Sequence, residues 1–143
     1  YSSIAIVRHI SLPYVLQGQR IKDAIQALQL SAVDGFNFNG GLANFQRLDH
    51  IADAAGYPCW HGSEVDLGIL EAMYVHSSAA AASCIWPGDI FGRLIREHDL
   101  LKEPLKIAPP YAYLPEGPGL GIEPDPEAID HYLVSQKAFI DKN

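Results

Sequence analysis

The chain has 143 residues, which suffice for one ordinary globular domain and are too few for two. Its formal net charge is -7 and its lysines and arginines are not clustered, so nucleic acid is excluded as an expected partner. The chain lacks both an apolar run of the roughly 20 residues that span a bilayer and an initial signal-peptide pattern, so we expect a cytoplasmic protein without a membrane partner.

The first predicted repeat is a strand followed by a helix. Residues 12–16 form a short apolar run that predicts a strand, and Gln17 and Gly18 are predicted to lie in the loop at its carboxyl end. Ile21, Ile25 and Leu28 then recur at helical spacing, so we predict a helix that leads into the next strand.

Residues 34–68 predict a strand, a crossover helix and a second strand. Val33, Phe36 and Phe38 predict the first strand, Gly40 and Gly41 end it, and Gly56 is placed to end the following helix. Residues 57–60 begin the second strand, which should be a parallel neighbour of the first. The apolar face of the helix is predicted to comprise Leu42, Phe45, Leu48, Ile51 and Ala55.

Polar side chains follow both strands of this unit. They are Asn37, Asn39, His61, Ser63 and Glu64. In parallel α/β folds ligands bind beyond the carboxyl ends of the strands. The sequence therefore predicts the functional site at this end of the sheet.

A third helix and a fourth strand are predicted next. Residues 83–86 form the strand, which gives a parallel α/β array of four strands. Such an array leaves two unpaired edges, so we expect that it belongs to a larger barrel or pairs with another polypeptide. The helix is predicted to bury a narrow face formed by Ile69, Ala72, Met73, His76, Ala79 and Ala80, with His76 as a structural histidine rather than a ligand.

The character of the chain changes at residue 102, where a segment rich in proline and glycine begins. We predict an extended strand and tight turns there, followed by a last helix with Asp125 as its N-cap and Pro126 at its first position. Ile129, Tyr132 and Ile140 are among the residues of its predicted apolar side.

The two cysteines, Cys59 and Cys84, have neither a Cys-x-x-Cys spacing nor a disulfide-rich context. We predict that both are reduced thiols in the core, with a disulfide between them as the alternative.

Four motifs in order resemble one family. DGFNFNGG (34–41), GSEVDLGI (62–69), WPGDIFG (86–92) and GPGLGIE (117–123) are similar to the carboxyl-terminal half of the barrel domain in the enolase superfamily, on the side of muconate cycloisomerase and mandelate racemase. The resemblance implies an α/β fold in which residues 1–101 hold strands five to eight of a partial TIM (β/α)8 barrel. It implies that residues 102–143 are a tail returning toward a capping domain, with an extended segment and a terminal helix.

The resemblance also implies an isomerase or lyase of the racemase, cycloisomerase or acid-sugar dehydratase type. In that chemistry a base removes a proton next to a carboxylate, and Mg²⁺ stabilises the enediolate. The implied partners are a small carboxylate substrate and the amino-terminal half of the barrel or another copy of the chain, in a homo-oligomer. A non-catalytic relative that binds a carboxylate or serves in assembly is the alternative.

Carried over by position, the expected metal ligand at the end of the first strand is Gln17, and the expected acid or base after the second is Asn39. Both side chains are neutral, so the main metal ligands and the base would come from outside this chain. Asp89 matches the acidic residue that closes the eighth strand, and His61 lies within one residue of the catalytic histidine of racemase-type members.

Each of these candidate residues also has a structural alternative. His61 and Glu64 are predicted to be catalytic, but either can instead begin the following helix. Asp89 and Asn39 are also predicted to be catalytic, with a helix N-cap as the alternative for Asp89 and stabilisation of the turn as the alternative for Asn39. Asn37 and Ser63 are predicted to bind substrate, although Asn37 can simply stabilise the turn. Trp60 is predicted to wall the pocket, with burial in the core as the alternative.

Overall fold

A computed structural model describes residues 15–63 and 65–134, so Glu64 lies outside the described residues. Three parallel strands, β1 (Val15–Gly18), β2 (Gly35–Phe38) and β3 (Cys59–His61), form a sheet in sequence order. The helices that follow them are α1 (Ile21–Gln29), α2 (Leu42–Ala55) and α3 (Gly68–Ala80). Within the described ranges, no helix has both the length and the hydrophobicity that a membrane span requires.

The prediction for the first repeat is confirmed except at the strand end. Gln17 and Gly18 belong to β1 rather than to a loop, because they pair with Asn37 and Phe38 of β2. Residues 12–14 of the predicted strand lie outside the described residues.

The strand register separates two faces of the sheet. Gln17, Asn37 and Trp60 are paired across the three strands, and we call the face that they share the open face. Their sequence neighbours alternate to the other side, where Phe36, Phe38 and Cys59 pack against the helices. The hydrophobic core therefore lies on this helix-covered face.

The α2 helix is built as its sequence predicts. Phe45, Leu48 and Ala52 are fully buried in the core. Gly56 ends the helix with φ of 72°, a left-handed conformation that favours glycine. Leu42 and Ala55 were expected on the buried face but are exposed, because they occupy the first and last positions of the helix.

The prediction of a fourth strand at 83–86 is wrong, because these residues do not form a regular strand. Its chain does lie beside β3, since the Cys59 N–H donates to the Ser83 carbonyl over 2.8 Å and the Trp86 N–H donates to the Cys59 carbonyl over 3.2 Å. In a regular parallel ladder the two groups that bond Cys59 would be two residues apart, whereas the Ser83 carbonyl and the Trp86 N–H are three residues apart. The Ile85 N–H instead bonds the Ser83 carbonyl locally. Among the residues that the structure describes, the sheet therefore has three regular strands.

Helix α3 buries a different face from the predicted one. Ile69 is 42% exposed, whereas the carboxylate residue Glu71 is only 1% exposed. Ala72 does pack in the core, beneath Leu101 and Leu105 of the following chain. His76 is a structural histidine as predicted, because its Nε2 bonds the carbonyl of Leu120 at 3.1 Å.

The tail forms a small hairpin and a last helix. Strands β4 (Ile107–Ala108) and β5 (Tyr111–Ala112) pair antiparallel, after a short 3₁₀ helix at Gly92–Leu94. Helix α4 (Pro126–Tyr132) begins as predicted, with the Asp125 carboxylate accepting the N–H groups of Glu127 and Ala128. The predicted apolar side of α4 is largely exposed at Ile129 and Tyr132, whereas Ile140 lies outside the described residues.

Helix α2 also buries a carboxylate, Asp49, that fixes the segment beside β3. Its oxygens accept the N–H of Ala82 at 3.2 Å, the N–H of Ser83 at 2.9 Å and the Ser83 hydroxyl at 2.6 Å. A buried carboxylate with these donors is stabilised by charge-assisted hydrogen bonds.

We expect Asp49→Ala to lower the free energy of unfolding by about 3 kcal/mol, because three donors lose a charged acceptor and two of them are backbone groups. Urea unfolding measures the change. Asp53→Ala, on the exposed side of the same helix, is the matched control and should change stability by less than about 0.5 kcal/mol. Equal losses in both variants would contradict the assigned role of Asp49.

Candidate functional site at the carboxyl ends of the strands

The open face carries an amide side chain on each of its first two strands. Gln17 is exposed on β1, and Asn37 is half-buried on β2. The Asn37 side chain lies directly against Gly62, where any Cβ would overlap its Oδ1 atom. This oxygen is buried and accepts no hydrogen bond from the described residues. A buried acceptor without a partner is uncommon in proteins, so Asn37 is an unusual feature of this face.

Two tryptophans extend the open face as an aromatic wall. The ring centroids of Trp60 and Trp86 are 5.8 Å apart in a tilted arrangement. Trp86 lies over Gly35, and a side chain at position 35 would overlap the indole ring. Both indoles are only partly buried, so neither is a fully buried core residue, and the role of Trp60 in walling a pocket stays a prediction.

Ser63 and Asp89 are joined at the rim of this face. The backbone N–H of Ser63 donates to Asp89 Oδ1 over 2.8 Å. The bond connects the loop after β3 to the segment that carries Trp86. Two of the predicted site residues are therefore brought together by the fold.

His61 lies on the helix-covered face, away from Asn37 and Trp60. Its ring is stacked between Phe45 and Tyr74, with centroid distances of 4.2 Å to each, and is 1% exposed. Nδ1 donates to the Gly62 carbonyl over 2.9 Å, while Nε2 has no hydrogen-bond partner among the described residues. Burial lowers the pKa of His61, which favours the neutral ring.

Asn39 and Glu64 complete the predicted set. Asn39 follows β2 directly, is buried, and its N–H bonds the Gly18 carbonyl over 3.4 Å. Glu64 lies outside the described residues. The structure thus groups Gln17, Asn37 and Trp60 on one face and pairs Ser63 with Asp89 at its rim, without His61.

The described residues do not fit a magnesium site on their own. No three Asp, Glu, His or Cys side chains come together among them as a metal-binding group. Gln17, the expected ligand, supplies one exposed neutral oxygen, whereas Mg²⁺ sites in proteins use carboxylates.

Sequence reasoning missed two buried carboxylates behind the site. Asp49 holds residues 82–83, and Glu71 lies against the 3₁₀ helix, since a Cβ at Gly92 would overlap Glu71 Oε1. Burial raises the pKa of Glu71, and the backbone of Gly92 partly offsets the rise. Asp49 had a detectable signal, because it falls on the buried face of α2 between Phe45 and Ala52.

Comparison with known proteins identifies the family. Residues 16–128 match the family described as enolase C-terminal domain-like. The chain belongs to this family. It is 32% identical over 111 residues to muconate cycloisomerase 1 of Rhodococcus opacus, covering 75% of this chain and 30% of that protein. It is 31% identical over 122 residues to muconate cycloisomerase 1-1 of Acinetobacter lwoffii, covering 82% of this chain and 32% of that protein.

Solved structures of the superfamily share the α/β fold. The crystal structure of N-succinyl Arg/Lys racemase from Bacillus cereus matches with a TM-score of 0.87 and 25% sequence identity, over 95% of this chain and 38% of that one. The chain thus spans about a third of the length of the relatives that it matches. The predicted membership of the enolase superfamily, on the side of the muconate cycloisomerases and racemases, is confirmed.

We expect the stability of the protein to fall as the pH drops from 7 to 5, in part because of His61. In the unfolded chain this ring takes up a proton near its ordinary pKa of about 6.5. In the folded chain burial lowers the pKa of His61, so acid favours the unfolded state below about pH 6.5.

His61→Phe keeps a ring between Phe45 and Tyr74 and should remove this part of the loss. The difference in unfolding free energy between the two proteins should change by at most about 1.4 kcal/mol per pH unit. His50→Phe, at an exposed position of α2, serves as the control and should keep the parent pH dependence. Urea titrations at pH 5, 6 and 7 measure the free energy of unfolding of each protein. If this free energy changes with pH in the same way in the parent and in His61→Phe, the expectation is wrong.

Proposed function

We propose that this chain forms part of the active site of an enolase-superfamily isomerase that acts on a small carboxylate substrate. The reaction type is removal of the proton next to the carboxylate, as in a racemase or cycloisomerase. The observation that carries the proposal is the row of Gln17, Asn37 and Trp60 near the carboxyl ends of three parallel strands, in a chain of this family. Ligands of parallel α/β barrels bind at that end.

The chemistry of the open face suits binding and orientation. Gln17 and Asn37 are neutral amides that can donate and accept hydrogen bonds, and neither exchanges a proton at neutral pH. Asn37 is half-buried, so the accessible part of its amide side chain can hydrogen-bond a hydroxyl or carboxylate of the substrate. Trp60 and Trp86 supply an apolar wall beside it. We assign substrate binding to this face.

The reaction also needs a base and positive charge, since a proton next to a carboxylate is very weakly acidic. The described residues of the open face include neither a base nor a positive charge. The base and the Mg²⁺ ligands would therefore come from residues outside the described ones. Asp89 supplies a carboxylate at the rim of the open face, where it accepts the N–H of Ser63. Catalytic roles for Asp89, Asn39, Glu64 and His61 remain predictions, and the burial of His61 favours a structural role.

The proposed architecture is a partial barrel. β1, β2, β3 and the segment at 83–86 would be its strands five to eight, with residues 102–143 as the tail. One side of β1 has no strand partner among the described residues. An amino-terminal half of the barrel, or another copy of the chain, would cover that edge. Homo-oligomerisation and a cytoplasmic location likewise remain predictions.

The test is exchange of the substrate α-proton with D₂O, followed by NMR on the intact protein with Mg²⁺. The panel contains N-succinylamino acids, the lactones formed from muconates, mandelate-like acids and sugar acids. We expect exchange on at least one class, and a roughly 10-fold lower rate for Asn37→Ala, since a lost hydrogen bond to the transition state is worth about 1.4 kcal/mol.

Gln46→Ala, exposed on α2, is the matched control and should keep the parent rate. If no member of the panel exchanges its α-proton, the protein is a non-catalytic relative and the proposed reaction is wrong. If exchange occurs and Asn37→Ala is as fast as the parent, the reaction stands but the open face is not its binding surface.

A further inference from the structure

The two cysteines lie side by side on the helix-covered face. The hydrogen bonds from Cys59 N–H to the Ser83 carbonyl and from Trp86 N–H to the Cys59 carbonyl set residues 83–86 alongside β3. Cys84 falls between these two bonds, and its side chain packs in the same core cluster as Cys59. Neighbouring strands lie about 4.8 Å apart, which is within the range of Cα separations that a disulfide spans.

The environments of the two thiols differ. Cys59 is fully buried, its Sγ lies 3.2 Å from the Ser83 hydroxyl, and the neighbouring Cys84 together with burial raises the pKa of its thiol. Cys84 is partly exposed and receives hydrogen bonds from the Cys59 thiol, the Ser78 side chain and the backbone of His61. These bonds lower the pKa of Cys84 to about 6, against the opposing effects of burial and of the Asp49 carboxylate.

This asymmetry is the one that thiol chemistry requires. A thiolate, rather than a thiol, attacks disulfides, and it must be reachable from solvent. Cys84 meets both conditions, and Cys59 stands next to it as a second thiol that solvent cannot reach. The described pair therefore has a reactive and a resolving member.

We propose that Cys84 and Cys59 form a thiol–disulfide modification site for low-molecular-weight disulfides of the glutathione type. The Cys84 thiolate attacks one sulfur of the small disulfide, its S–S bond breaks, and the leaving thiolate takes a proton from water. Cys59 then loses its proton and attacks the Cys84 sulfur, which releases the second small thiol. The protein gives up two electrons and two protons, and the small disulfide is reduced to two thiols.

The product would be a covalent bond between β3 and the segment that continues to Trp86 and Asp89. This bond would join the same two chain segments as the backbone bonds of Cys59. The inference is independent of the reaction proposed above, since it concerns the helix-covered face and not the open face.

The test is incubation of the intact protein with glutathione disulfide at pH 7, followed by alkylation with iodoacetamide and mass spectrometry of the peptides. We expect the parent to lose two hydrogens and to have both thiols protected within one chain. Cys59→Ser should stop at a mixed disulfide on Cys84, and Cys84→Ser should form no adduct while it stays folded. Circular dichroism checks the fold of each variant.

Alkylation without the oxidant is the second measurement. In the folded protein Cys84 should react at least about 10-fold faster than Cys59, and its alkylation rate should be half-maximal near pH 6. In urea, where the chain is unfolded, the two thiols should react at equal rates. Three results would each overturn the proposal: a parent that stops at a mixed disulfide, a disulfide between two chains, or an adduct on Cys59 in folded Cys84→Ser. Equal alkylation of the two thiols in the folded protein would do so as well.

Discussion

The hydrogen bonds of the buried Asp49 carboxylate hold the candidate site together. Residues 83–86 occupy the place of a fourth strand but lack a regular ladder, because the Ile85 N–H is satisfied locally by the Ser83 carbonyl. The carboxylate on α2 takes over that task by accepting the N–H groups of Ala82 and Ser83 and the Ser83 hydroxyl. Each hydrogen bond to a charged group contributes about 1.5–3 kcal/mol. A helix side chain thus fixes a strand position that sheet pairing alone does not.

A second buried carboxylate acts at the other end of the same segment. Glu71 of α3 lies against Gly92 at the start of the 3₁₀ helix. Trp86 and Asp89 lie between these two contacts, and the Asp89 carboxylate accepts the Ser63 N–H. The segment at the rim of the open face is therefore flanked by two carboxylic side chains that are buried behind the sheet.

The sequence predicts the repeating units well because they depend on local periodicity. The helical spacing of the apolar residues in α2 identifies Phe45 and Leu48 as core residues, and the glycine that follows them, Gly56, marks the end of the helix. Residues 83–86 were misjudged because an apolar composition does not reveal that Ile85 is 73% exposed. The face occupied by His61 was available from strand alternation, since it shares its parity with Cys59 in β3. Spacing within α2 places Asp49 on the buried face, but it does not reveal that its hydrogen-bond partners are residues 82 and 83, far along the chain.

Two glycines of the open face constrain how this surface can change in evolution. Gly35 lies beneath Trp86 and Gly62 lies against Asn37, and neither position has room for a Cβ. Since glycine is already the smallest residue, these contacts can be altered only from the side of the larger partner. Replacement of Trp86 or Asn37 by a smaller residue would enlarge the surface, whereas no substitution at either glycine can reduce it without moving the backbone. Substitutions at these two contacts can therefore widen the open face but cannot narrow it.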